Sequence, residues 1–456
     1  MTTTGTLAPE QRDSPAPSPT RSPAAYRPTL RALRTELRRG VAPWTGACTA
    51  VTLGVTMAAK ADTWQGDWGE TQGYLHPAAT LLAGPLLAAA SCWQGAREHR
   101  RSTAGLWLST PRARSTRVVV AALPLALWAV AGYLLVLAAS LLATWPYAGG
   151  GSPYPSFAVV DCGFLVAVGL LGFAVGQRCR WRLAPPALAV VLYVALGVPN
   201  YSESSARYLD PTLQYGLSGR LPVWWFAPAM VAWTCGLALT VLVAHAARRR
   251  FLAVVPLAVA AAVAPLIVHN GPGLLRDDPA RARVVCTEGT PRVCLNGLDA
   301  TFLPQVSRAL SGLIGRLDGV PGAPVRYVDH EVREGSDEVQ LSMPARGWGI
   351  VRDRLSRPEN LAWQAAASIA FERRRECPDS PDAGNPDGSD DSTRVMDTDD
   401  AVTNWLAGPG AAQPPGAEKA PRFRRLEAMP APERRVWLGR YLATRESCDA
   451  SEVPVL

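Results

Sequence analysis

Residues 248–270 read RRRFLAVVPLAVAAAVAPLIVHN. Three arginines open the stretch, and no Lys, Arg, Asp or Glu follows through Asn270. A helix needs about 20 apolar residues to cross the hydrocarbon core of a bilayer. Six further apolar stretches precede this one, at 41–59, 75–93, 118–144, 158–177, 184–199 and 223–246. Together with 251–270 they predict about seven membrane-spanning helices. The fifth is short and carries Pro185 and Pro186 at its entry, so a partial span stays open there.

The arginines alternate with the spans. Arg27, Arg31, Arg34, Arg38 and Arg39 precede the first, and Arg97, Arg100, Arg101, Arg112, Arg114 and Arg117 separate the second from the third. Arg178, Arg180 and Arg182 follow the fourth, and Arg248 to Arg250 follow the sixth. The opposite loops carry Lys60, no cation in 145–157, and Arg207 with Arg220. Short cytoplasmic loops retain Lys and Arg. The expectation is therefore a plasma-membrane protein with a cytoplasmic N-terminus and an extracellular chain from residue 271 onward. Trp44, Trp93, Trp145, Trp181, Trp224 and Trp225 fall at span edges, where amphipathic rings suit the headgroup zone.

Composition divides at the same place. Residues 1–270 hold 22 Lys+Arg against 10 Asp+Glu, and residues 271–456 hold 24 against 28. The basic balance thus belongs to the membrane part and follows its topology. It does not argue for nucleic acid, since no basic patch is interleaved with stacking aromatics. Residues 1–27 are rich in Ser, Pro and Thr and read as a disordered cytoplasmic tail. No apolar run precedes residue 41, so the first span is expected to act as the insertion signal.

Two cytoplasmic segments carry further pattern. In 28–40, Leu30, Leu33 and Leu37 recur at helical spacing opposite arginines, as in an amphipathic helix lying on the inner leaflet. A plain positive-inside flank would give the same charges. The loop 94–117 has a charged half, then Leu106-Trp107-Leu108, then Thr110-Pro111 and more arginines. That reads as a short helix stopped before proline. Glu98, the one acid there, has a local role open to it as neutraliser of Arg97 or Arg101.

The order Glu98, Thr103, Leu106, Leu108, Thr110, Pro111, Arg114 resembles the loop after the second span in type-2 ABC exporter permeases. The amphipathic helix before span one and the set of core spans are similar too. The resemblance implies that those seven residues dock a separate ATPase, that ATP is bound on that partner subunit, and that a second permease copy or paralogue completes the path. This chain has no GxxxxGK[ST] phosphate loop, so no cofactor site is expected in it, and it is not expected to be an enzyme by itself. A different class, a membrane-anchored receptor or immunity protein binding an extracellular peptide, is the alternative.

Within the spans Asp161 is the one acid, near an outer end where a carboxylate can still reach water; a pathway role is the functional reading. His245 reads as interfacial. No chain of acids and histidines is apparent, which argues against a proton pump.

Residues 271–456 predict a small extracellular α+β domain. Strands are expected at 284–286, 292–295, 325–328 and 339–341, and helices at 301–317, 359–376, 397–407 and 431–446, with a loop at 378–391. Cys48, Cys92, Cys162, Cys179 and Cys235 read as small apolar fillers. Cys286, Cys294, Cys377 and Cys448 allow three pairings; the favoured one is Cys286–Cys294 with Cys377–Cys448. A zinc site is the rival, without a neighbouring histidine or CxxC spacing. His330-Glu331 begins a HExxH-like string that Glu334 breaks. No metal site is expected.

Overall fold

The computed structural model describes residues 33–38, 40–100, 114–179, 181–246, 249–329, 337–371, 390–409, 420–445, 447 and 449–456. A short helix, α1 (33–38), leads into α2 (Ala42–Ala59). Then come α3 (Trp68–Gly95), α4 (Arg114–Thr144), α5 (Pro155–Arg178), α6 (Ala184–Tyr201), α7 (Phe226–Ala246) and α8 (Val254–Asn270).

Six helices, α3 to α8, are long and apolar enough to cross a membrane. The expected first span, α2, is not among them. It is a continuous 18-residue helix, but Thr45, Thr49, Thr52 and Thr56 dilute its apolar character. Two of these threonines turn inward: Thr45 and Thr49 are buried, and Thr45 Oγ1 donates to Ala42 O at 2.6 Å. The helix crosses α4 where glycine meets glycine. A Cβ on Gly132 would strike the Gly46 carbonyl oxygen, and one on Gly46 would strike the Trp128 carbonyl.

The expected second span begins earlier than its apolar run. α3 starts at Trp68, capped by the Asp67 carboxylate accepting from Glu70 N at 2.8 Å. Pro77 sits inside it, and a π-helical segment, Ala78–Ala83, follows. Proline removes a backbone donor from the helical ladder, and a wider turn directly after it is one way to absorb the break. The short fifth stretch is a full 18-residue helix through Tyr201, because proline is tolerated in the first helical turn. At the centre, α5 packs on α3, α4 and α7. Gly172 and Gly176 lie against Ala88 and Cys92 of α3.

The C-terminal part is α+β, as expected. Strands β1 (Arg220–Pro222) and β2 (Leu275–Asp277) pair antiparallel. β3 (Val284–Cys286), β4 (Arg292–Asn296), β5 (Arg326–Val328) and β6 (Glu338–Gln340) form one sheet in that order. β3–β4 is antiparallel, and the other two pairings are parallel. A two-stranded ribbon of β7 (Ile350–Val351) and β8 (Arg354–Leu355) follows. The helices are α9 (Leu303–Leu317), α10 (Pro358–Ala370), α11 (Asp390–Ala407), α12 (Pro421–Ala428) and α13 (Ala431–Ala443). α11 begins at Asp390, inside the stretch read as a loop, and α12 was not expected at all. Val306, Leu310, Leu313 and Leu317 of α9 enter one core with Val293, Tyr327, Val339, Ile369 and Leu438.

This domain sits on one end of the helical bundle. β1, between α6 and α7, pairs with β2, which follows α8. Arg346 lies 3.6 Å from Asp67 and 3.2 Å from Asp299. Arg352 Nε donates to Gln65 Oε1 at 2.7 Å, and its guanidinium lies over the Tyr147 ring. All three helix-connecting loops of that end therefore touch the domain. The arginines of 97–100, 178 and 249–250 lie at the opposite end, with α1.

Candidate functional site

Three helices bring one polar side chain each to a single buried point. Asp161 on α5 is 1% exposed. His76 Nδ1 lies 2.5 Å from its Oδ1, and Tyr133 OH on α4 donates to its Oδ2 at 2.6 Å. The π segment begins two residues after His76, past Pro77, and Thr80 Oγ1 donates to the His76 carbonyl at 2.8 Å. π segments recur at functional sites because they displace side chains from the regular helical rows.

Aromatic rings close the point off. The His76 ring meets Phe157 edge-on at 5.2 Å and Tyr215 at 6.3 Å, and Phe226 packs behind them, tilted to Phe157 and edge-on to Tyr215. His76 Nε2 and Tyr215 OH are buried without a hydrogen-bond partner among the described residues. Above this layer Thr71 and Thr144 share a hydrogen bond of 2.7 Å. The Gln72 amide accepts from Tyr154 N and donates to Tyr154 O, at 2.6 and 3.0 Å.

This corrects the reading of Asp161. Its carboxylate does not reach water; the neighbouring helices supply its hydrogen bonds instead. It also shows one acid–histidine pair, His76 with Asp161, that the sequence did not reveal. His76 and Asp161 are 85 residues apart, so spacing could not reveal them. A histidine beside a proline in an apolar run was the available signal. Chemically, a carboxylate bonded at Nδ1 orients the imidazole and leaves Nε2 to accept when neutral or donate when protonated.

A second cluster lies at the arginine-rich end. Arg178 Nε donates to His245 Nδ1 at 3.0 Å, and His245 Nε2 lies 2.9 Å from Gln177 Oε1. His245 is buried and joins α5 to α7. Of the segment 28–40, residues 33–38 form α1, in which Leu33 and Leu37 are half-buried and Arg34 and Arg38 exposed. It docks on the bundle through Trp128 Nε1, which donates to Leu37 O at 2.8 Å, and through Glu36, 3.8 Å from Arg97. Arg97 thus faces Glu36. Glu98 lies in the short helix Arg97–Arg100, and Arg114 opens α4. The side chains of both lie outside the described residues, as do Thr103, Leu106, Leu108, Thr110 and Pro111 entirely.

At the other end a cavity of about 530 Å³ separates α3 from the C-terminal domain. Asp67, Asp299, Asp329, Arg281 and Arg346 line it. Burial, with the Asp299 charge adding to it, pushes the Asp329 carboxyl up to about 6, against the opposing Asn296 hydrogen bonds and Arg281. Cys286 and Cys294 stand opposite each other in β3 and β4 and are disulfide-bonded, the pairing expected. Cys377 and Cys448 lie outside the described residues, as does the His330 string. Comparison with family models, curated proteins and solved structures finds no match to this chain.

Proposed function

We propose that the chain is the membrane subunit of an ATP-driven exporter, with α2 as a seventh span, α1 and the arginine-rich end in the cytoplasm, and the C-terminal domain outside. The observation that carries the reading is the docking of α1. Leu37 and Glu36 hold it against Trp128 of α4 and Arg97 just past α3, so that it presents Arg34 and Arg38 at the arginine-rich end. A basic helix fixed against the bundle at the arginine-rich end suits a surface that receives a separate nucleotide-binding subunit. An anchor alone needs no such helix. The buried His76–Asp161–Tyr133 centre lies in the half of the bundle nearer the C-terminal domain, where a transported solute would leave. The domain rests on that end and would gate release.

Affinity purification of the tagged protein from its native membrane tests this. Recovery of a phosphate-loop ATPase, lost on replacing Glu98, Leu106 and Leu108 with alanine, is the expected result. A preparation free of any ATPase, under detergent conditions that keep known exporters intact, would overturn it.

A further inference from the structure

A second cavity, about 400 Å³, lies where α6 and α8 end beneath the C-terminal domain. Arg207, Arg220, Tyr201, Tyr208 and Gln214 line it with Gly271, and among the described residues no carboxylate does. Of the nearby acids, Asp210 is engaged within its own loop, while Glu203 and Asp277 act on Arg207 and Arg220 from outside the lining. Asp210 accepts from Thr212 N at 2.9 Å and from Asn200 Nδ2 at 3.2 Å. Asp277 approaches Arg220 only at 3.8 Å, with both side chains more than half exposed. Arg207 is braced, its guanidinium over the Tyr208 ring and 3.3 Å from the Tyr208 hydroxyl.

The position of the cavity matters as much as its charge. It opens at the boundary between apolar helix and polar domain. Tyr201 stands 92% exposed at that boundary, as aromatic residues do at a headgroup layer. Along the helices that end there, Val191, Val194 and Val198 of the α6 segment and Leu266 of α8 are exposed. They offer an apolar wall continuous with a cationic cup.

We infer that this cavity binds the phosphodiester headgroup of an anionic phospholipid from the leaflet facing the C-terminal domain, with Arg207 and Arg220 on the phosphate. Guanidinium forks match phosphate oxygens, and the described lining of the cavity itself offers no carboxylate to the ammonium of a zwitterionic headgroup. The site is independent of the exporter reading and needs no ATPase.

The test uses the full chain in phosphatidylcholine vesicles doped with a photoreactive phosphatidylglycerol, followed by peptide mapping. Labelling within 201–220 is expected, falling roughly thirtyfold in the R207Q/R220Q variant, while labelling near Arg97 and Arg100 persists. R207Q alone, which keeps the Arg220–Asp277 contact, should give a partial loss and serves if the double variant does not fold. Equal labelling by a photoreactive phosphatidylcholine would overturn the inference. So would unchanged labelling in R207Q, or suppression by inorganic phosphate, which would make this a free-anion site.

Discussion

Asp161 takes two hydrogen bonds from two other helices, and each substitution there removes a different part of the arrangement. Breaking a buried pair by deleting one partner costs about 3–5 kcal/mol, because the remaining group stays buried and unsatisfied. Asp161→Ala should therefore lower the thermal midpoint in detergent far more than Asp161→Asn, which keeps an acceptor for one donor. Tyr133→Phe, losing one hydrogen bond to a buried carboxylate, should cost about 1.5–3 kcal/mol. Midpoints matching wild type for all three would remove the structural role assigned to this centre. Asp329 gives a prediction in pH. Its folded value, about 6, lies above the unfolded value near 3.9. The folded domain thus keeps a proton that the unfolded chain has lost between about pH 4 and 6. Stability is greatest below this window and falls as pH rises through it, by about 3 kcal/mol in all. Asp329→Asn should flatten that dependence and raise stability at pH 7; an unaltered pH profile of unfolding would assign it to another group.

Helix crossings in the bundle are set by absent side chains. A Cβ on Gly176 would fall on the Cys92 carbonyl oxygen, whereas one on Gly54 of α2 meets nothing within 4 Å. Gly176→Ala should cost about 1–3 kcal/mol through overpacking. Gly54→Ala should be neutral or gain up to about 1 kcal/mol in helix propensity. Equal midpoints for the two variants would mean that α3 and α5 can separate freely. Which residues the glycines of α5 meet is not legible in the sequence, since close approach is decided by which faces meet. The π segment was equally hidden: Pro77 marks a break in hydrogen bonding, and only the surrounding packing selects how the helix absorbs it.

On the scale of the whole molecule, the C-terminal domain is tied to the bundle by β1–β2 pairing and by Arg346 bridging Asp67 and Asp299. Arg346→Ala should speed hydrogen exchange in residues 60–70 without changing exchange in α9, which lies in the domain's own core. Uniform change, or none, would deny Arg346 a role in the junction. Orientation has its own measurement: a cysteine placed at Asp390 should react with an impermeant reagent added outside, and one at Ala104 should not. The reverse pattern would put the domain in the cytoplasm.

The sequence by itself determined that apolar helices make up the first part of the chain, that an α+β domain follows, and that β3 and β4 form a hairpin carrying the Cys286–Cys294 bond. These are local matters: run length, periodicity, and two cysteines flanking a turn. It left α12 unread, because Phe423 and Leu426, one pair at helical spacing among arginines, make too short a pattern to mark a helix on their own. Tertiary structure alone decided that His76 meets Asp161 and that α1 leans on Trp128. It also seated the domain on the three loops of one end. Each of these joins residues far apart in the chain, and no local rule of spacing or composition constrains such a meeting.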